Sequence, residues 1–340
     1  MKAYYAAEQK RHDPKAFLSS GAPQPNPEQP ERVERLLVGA KAAGCTIERP
    51  RDFGLAPIAA VHTPEYLEFL QNIYARWQRI EGASAEVIPN IHPLARDGAY
   101  PASAVGQAGY HMADTACPIS AETWESVCWS AWSAIAAAES VMSGDAAAYA
   151  LSRPPGHHAF ADVAGGFCFV NNSAVAAQHL RRSAARVAIL DVDLHHGNGT
   201  QGIFYARPDV LTVSIHADPV RFYPFFWGHA DERGEGAGLG YNLNLPLPRK
   251  TGDEGFLEAL DAGIRRIRSF APDALVVALG LDAFEDDPFG GLSVSTPGFS
   301  RIGEAIARLG LPTVVVQEGG YLCDALGDNL TSFLGGFTAV

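Results

Sequence analysis

The run Asp191-Val192-Asp193-Leu194-His195-His196-Gly197-Asn198-Gly199-Thr200 puts two carboxylates and two imidazoles directly after the apolar stretch Val187-Ala188-Ile189-Leu190. Side chains of a strand alternate between its faces, so Asp191, Asp193 and His195 are expected to share one face with Ile189. Neighbouring carboxylates repel, and burying an ionised one unpaired is costly. A cation or strong donors must therefore stand at the C-terminal end of this strand. Asp-x-His supplies oxygen and nitrogen ligands that suit a divalent ion such as zinc. A salt bridge to Arg or Lys, or a helix N-terminus, would meet the same need without metal.

Asp282 closes another apolar run, Leu275-Val276-Val277-Ala278-Leu279-Gly280-Leu281, and can bring a third ligand. Three protein ligands leave one position for water, as in a catalytic zinc site, where that water becomes a usable nucleophile. Taken alone, Asp282 fits an N-cap or a loop salt bridge equally well. In Arg153-Pro154-Pro155-Gly156-His157-His158, paired prolines and a glycine enforce a sharp turn before two imidazoles suited to moving protons near neutral pH. Both histidines could instead bind metal. In Gln317-Glu318-Gly319-Gly320-Tyr321, the tyrosine could donate to an oxyanion or simply cap a sheet. Cys168, in Gly165-Gly166-Phe167-Cys168-Phe169, reads better as a small buried filler than as a nucleophile.

These groups need a scaffold that brings distant segments together. Residues 147–153, 186–193, 210–216, 274–284 and 312–321 read as near-continuous apolar strands. Amphipathic helical patterns separate them at 171–184, 252–271 and 300–310, and a long helix at 123–144 precedes them. That alternation implies a parallel sheet covered on both faces, with ligands at the strand C-termini. RPPGHH, DVDLHHGNG, SIHAD, GLDAF and EGGY each follow a strand, so five loops are expected to meet along one edge. The proline-rich segment before residue 31 reads as a loop entering a helix, and Thr63-Pro64 as another helix start. Residues 82–123, rich in Pro and Gly, read as a long loop or insertion.

With 340 residues, 47% hydrophobic and 19% charged, the chain has ample core for a single catalytic domain. A net charge of -12 disfavours nucleic acid and anionic membrane as partners. No apolar run approaches a membrane span, and the N-terminus lacks the apolar core of a signal peptide. Five cysteines without C-x-x-C spacing point to a reducing cytoplasm and exclude finger-type zinc sites.

Taken together, RPPGHH, DVDLHHGNGT, GLDAFEDDP and EGGY resemble the zinc-dependent histone deacetylase family across nearly the whole chain. GQAGY, TWESVCWSA and FYPFFWGHADERGEGAG resemble its bacterial acetylpolyamine amidohydrolase branch. The resemblance implies a three-layer, arginase-like α/β fold with a mostly parallel eight-stranded sheet. It implies one zinc held by Asp193, His195 and Asp282, with His158 as general base and acid and His157 as its electrostatic partner. Asp191 would pair with His157 and help hold a structural K+ or Na+. Tyr321 would polarise the scissile carbonyl, Phe167 and Tyr223 would wall a channel for the substrate's alkyl stem, and the Gly166 carbonyl would face that channel. The implied activity is removal of an acyl group from an N-acylated amine, such as an acetylpolyamine or acetyl-lysine. A homodimer formed through residues 82–123 is implied as well.

The chain departs from the family pattern at Asn198, where many members carry Asp behind the catalytic His, which implies a less basic base. Phe17 and Val105 stand where polyamine-cleaving relatives carry acids, which leaves less charged amides open as substrates. A binuclear manganese ureohydrolase would need a further Asp at position 197, which is Gly. A non-catalytic acyl-ligand binder would be expected to have lost the Tyr, a His or a ligand, and all are present.

Overall fold

The structure, a computed structural model, describes all 340 residues. Ten strands form along the chain: β1 (Lys2–Tyr4), β2 (Ala16–Ser19), β3 (Ala22–Pro25), β4 (Thr46–Glu48), β5 (Ala147–Ala150), β6 (Val187–Asp191), β7 (Val210–Ala217), β8 (Asn242–Leu247), β9 (Ala274–Leu279) and β10 (Thr313–Gln317). The helices are α1 (Glu31–Ala42), α2 (Ala56–Ala59), α3 (Pro64–Trp77), α4 (Ala104–His111), α5 (Thr123–Met142), α6 (Asn172–Leu180), α7 (Asn198–Phe204), α8 (Asp253–Phe270), α9 (Thr296–Ala307) and α10 (Leu326–Thr338).

Eight strands make one parallel sheet in the order β4-β1-β5-β10-β9-β6-β7-β8. Strand alternation explains how the helices sandwich it. Ala188 and Leu190 of β6, with Leu275, Val277 and Leu279 of β9, pack into a cluster with Val33 and Leu36 of α1 and with apolar residues of α8, α9 and α10. Val187, Ile189 and Val276, on the opposite face, meet alanines of α5 and α6. Each buried Leu, Ile or Val side chain contributes roughly 1.5–3 kcal/mol, so a sheet buried on both faces is strongly held in register. A third cluster joins α3, α5 and the 82–123 segment outside the second layer.

Local chemistry explains several boundaries. Thr63 caps α3 by accepting the Tyr66 N–H, with Pro64 in the first turn. Asn171 and Ser295 cap α6 and α9 in the same way.

Four expectations need correction. β6 stops at Asp191, so Asp193 and His195 lie in the turn beyond it rather than on a shared strand face. There Asp191 accepts the Asp193 N–H at 3.1 Å and Asp193 accepts the His195 N–H at 2.8 Å, and these local bonds replace the ladder. The proline-rich segment before α1 contains the antiparallel β2–β3 hairpin, in which Pro23 and Pro25 sit on a two-stranded ribbon that does not need their missing donors. The 82–123 segment is not purely loop, since α4 lies within it. Short strands β1, β4 and β8 were not expected; β1 and β4 have three residues each, too few for alternation to register.

Candidate metal centre and active site

The central strands β5, β10, β9, β6 and β7 are adjacent and parallel, so the loops leaving their C-termini emerge side by side. All five expected loops reach this edge, and four of them carry the metal cluster, the histidine pair and the tyrosine. The turn after β6 contributes Asp193 and His195, and the loop after β9 contributes Asp282. Ligand-type atoms of these three buried residues lie within 4.8 Å of one another. His195 Nδ1 is 3.1 Å from Asp282 Oδ2 and 3.3 Å from Asp193 Oδ1. One imidazole nitrogen thus faces two carboxylate oxygens, the positions a cation would bridge. The loop after β10 leaves room for it. A Cβ at Gly319 would stand 2.3 Å from Asp282 Oδ2 and 2.6 Å from Asp193 Oδ2, while the Gly319 N–H donates to Asp193 Oδ2 at 2.8 Å. Two carboxylates and one imidazole, buried and without Lys or Arg among their hydrogen-bond partners, fit a divalent metal.

The loop after β5 sets the histidine pair beside this cluster. His157 Nδ1 is 2.9 Å from Asp191 Oδ2, and His158 Nδ1 is 2.7 Å from Asn198 Oδ1. Burial alone would lower the His157 pKa, but the Asp193 and Asp191 carboxylates outweigh it and raise the value to about 10. Burial, followed by the neighbouring His157 and His195, pushes His158 well below the ordinary imidazole value. The two rings, 4.1 Å apart, thus favour opposite protonation states. Burial raises Asp282, and the nearby Asp193 charge adds to the effect.

Tyr321 is buried against Phe167 and Phe289, with the Arg32 guanidinium 5.0 Å from its ring centre. Its peptide is gripped at both ends: Arg32 Nε donates to the Gly320 carbonyl at 2.6 Å, and the Tyr321 N–H donates to Asp287 at 3.0 Å. Arg32 and Arg153 both donate to the fully buried Glu28.

The Tyr223 ring stands edge-on to His158 at 4.9 Å, and the Phe167 ring lies edge-on to Tyr321 at 5.9 Å. Gly166 has φ +52°, and a Cβ there would sit 2.4 Å from His158 Cδ2, so only glycine allows this approach. Asp114 accepts both the Tyr223 hydroxyl, at 2.7 Å, and the Gly166 N–H, at 3.1 Å, tying the 82–123 segment to the pocket wall. Cys168 is fully buried, its thiol pushed up by burial and directed at the Gly166 carbonyl, as a filler would be. The loop after β7, which begins with SIHAD, supplies no ligand-type atom to the metal cluster but brings Phe222 and Tyr223 against His195 and His158. His216 instead bridges Ser214 and the Gly228 carbonyl, bracing the loop that carries Tyr223.

Sequence reasoning missed several residues here. Phe222 stacks on His195 at 5.1 Å and Phe289 meets it edge-on at 5.3 Å. Phe289 follows Asp282 closely enough that its loop could have been searched. Arg32 and Glu28 gave no signal, because charges at the start of an amphipathic helix normally read as solvated.

A carboxylate–imidazole cluster with an adjacent histidine pair, at the C-terminal edge of a parallel sheet, defines the class of metal-dependent amide hydrolases built on this fold. The chain belongs to the histone deacetylase family, whose domain matches residues 26–337, and it is a hydrolytic deacetylase. It is 50% identical to the acetylpolyamine amidohydrolase of Burkholderia pseudomallei over 341 residues, covering 100% of this chain and 99% of that one. It is 41% identical to the acetylpolyamine amidohydrolase of Mycoplana ramosa, covering 99% of each. The crystal structure of acetylpolyamine aminohydrolase from Burkholderia pseudomallei superposes with a TM-score of 0.96 over 100% of this chain and 99% of that one. The HDA15 HD domain, 27% identical, gives 0.82 over 98% and 90%. No helix is long and apolar enough to cross a membrane.

The space at Gly319 yields a direct expectation. Gly319→Ala forces a methyl group between Asp193 and Asp282, so bound metal should fall far below the wild-type level while cooperative thermal unfolding persists. Metal analysis of the purified variant checks it, and wild-type metal content would show that the cradle does not depend on this gap.

Proposed function

We propose that the chain is a zinc-dependent amidohydrolase that removes the acetyl group from an N-acetylated amine, an acetylpolyamine or acetyl-lysine being the leading substrates. The observation that carries this reading is the buried Asp193–His195–Asp282 cluster beside two histidines held in opposite protonation preferences. Zinc, one per subunit, held by these three side chains, would act as a Lewis acid on the scissile carbonyl and acidify the attacking water.

The chain's own groups supply the rest. Asn198 Oδ1 accepts the His158 Nδ1–H, which leaves Nε2 with its lone pair toward the substrate. His158 Nε2 takes the proton from water as the carbonyl is attacked and returns it to the departing amine nitrogen. His157, kept protonated by Asp191 and Asp193, contributes positive charge beside the developing oxyanion. The Tyr321 hydroxyl donates to that oxyanion. Phe167 and Tyr223 flank the acylated stem, with the Gly166 carbonyl available to the amide N–H. A structural K+ or Na+ beside Asp191 is supported by the small polar cavity there, which Ser214, Thr212 and Asn244 also line.

The 82–123 segment serves, in this reading, as both active-site rim and homodimer contact within one catalytic domain. Its support is the link through Asp114 to Tyr223 and Gly166, and the exposed Ile91, Leu94 and Tyr100. Five free cysteines accord with a cytoplasmic setting.

His158→Ala should abolish turnover of acetyl-putrescine and acetyl-lysine peptides while metal content holds, and Tyr321→Phe should lower kcat by ~10²-fold or more. Steady-state kinetics with metal analysis on the same samples checks both; wild-type turnover in His158→Ala would remove that residue from its role. Phe17, at 5.7 Å from Phe167, gives the β2–β3 hairpin an apolar face at the pocket. Phe17→Glu should raise the rate on acetylated diamines relative to neutral acetamides, and unchanged relative rates would show that Phe17 does not select substrate. Sedimentation should report a dimer that Leu94→Glu weakens; a monomeric wild-type protein would contradict the assembly.

A further inference from the structure

The turn that presents His157 and His158 must be held as firmly as the rings it carries, and one hold on it comes from a residue with no assigned part in the chemistry. Glu318 is fully buried at the end of β10. Its Oε2 accepts the Gly156 N–H at 2.6 Å and the His157 N–H at 3.0 Å, and its Oε1 accepts the Ser173 hydroxyl at 2.7 Å. Two successive backbone donors on one carboxylate oxygen form a nest that fixes a turn's direction as well as its distance. Ser173 lies in the first turn of α6, where the helix dipole favours a negative group.

The rest of the segment makes this contact consequential. Directly after Glu318, Gly319 donates to Asp193, the Gly320 carbonyl accepts from Arg32, and the Tyr321 N–H donates to Asp287. Four consecutive residues therefore touch the histidine turn, a metal-cluster carboxylate and the mount of the tyrosine. The backbone of Glu318 is itself fastened, its carbonyl accepting from Arg32 at 2.7 Å and its N–H donating to the Leu279 carbonyl at 2.8 Å. Glu318 thus links the backbone of the histidine turn directly to the segment that carries Gly319 and Tyr321.

We propose that Glu318 is a positioning residue for the His157–His158 pair, holding their turn in register with Asp193 and Tyr321 through its carboxylate oxygen. The proposal rests on the reading of His158 as the proton carrier. It concerns placement: any side chain offering an oxygen at the same point performs it. Gln meets that requirement, since its amide oxygen can accept both N–H groups while its NH2 donates to the Ser173 hydroxyl; Ala does not.

The test compares wild type, Glu318→Ala and Glu318→Gln on acetyl-putrescine, each assayed for metal content and thermal unfolding. Misplacement of catalytic groups by about 1 Å costs on the order of 10²-fold. The expected result is a fall in kcat of roughly 30-fold or more in Glu318→Ala, with KM within about twofold and metal retained, and recovery of most of the lost kcat in Glu318→Gln. Should Glu318→Ala fail to fold, Glu318→Asp, whose carboxylate falls one methylene short, carries the same expectation. Amide hydrogen exchange at Gly156 and His157, measured without substrate, supplies a readout independent of turnover: exchange should quicken in the Ala variant and return toward wild type in Gln. Unchanged exchange in a folded Ala variant overturns the proposal. So does a Gln variant as slow as Ala, which would assign the effect to charge, and so does a loss of activity that only tracks loss of metal. Faster exchange with undiminished kcat would count against the histidine pair as proton carriers, the reading on which the proposal stands.

Discussion

Asp191, Asp193 and Asp282 lie at most 3% exposed at one end of a sheet, and their hydrogen-bond partners are imidazoles and backbone N–H groups alone. Transfer of each ionised carboxylate into such a place costs several kcal/mol, more than its share of nearby apolar packing returns. The arrangement persists only if positive charge is brought to it. His157 supplies part of that charge, and the Asp193–His195–Asp282 cluster calls for the rest in the form of a cation. Much of the surrounding architecture serves this need: adjacent parallel strands carry the loops, glycine leaves the space, and aromatic rings shut out water that would otherwise screen the charge.

The same electrostatic demand separates the two histidines. They are chain neighbours and almost equally buried, yet one is pressed between carboxylates and the other between imidazoles. Asn198 completes the contrast, because an amide oxygen orients His158 without lending it a negative charge. The two rings therefore favour opposite protonation states, a division that burial and the neighbouring imidazoles impose on His158 and the Asp193 and Asp191 carboxylates impose on His157.

Most of the fold could be read in the chain because its inner strands are uniformly apolar and its helices amphipathic, so period and length were unambiguous in Ala274–Leu279 or Asp253–Phe270. Edge strands Lys2–Tyr4 and Thr46–Glu48 were not legible, since three residues pairing at a margin carry no periodic signal. Asp193, His195 and Asp282 were legible because charge is anomalous after such strands, and the structure gathers them, though in a turn rather than on a strand face. The supporting groups escaped notice for the opposite reason. Arg32 and Glu28 are ordinary residues near the start of a helix, and their burial depends on distant partners, Glu318 and Gly320 for Arg32 and Arg153 for Glu28. Glu318 carries no signal of its own beside the more conspicuous glycines and tyrosine that follow it.

The hairpin bearing Phe17 and the segment bearing Asp114 contribute no strand to the eight-stranded sheet, yet both reach the pocket wall. Part of the pocket wall is consequently built outside the sheet that gathers the carboxylate–imidazole cluster. That outer part of the wall can lengthen, shorten or change polarity over evolutionary time while the carboxylate–imidazole cluster stays where the sheet puts it, so relatives with nearly superimposable interiors are free to diverge in what they admit.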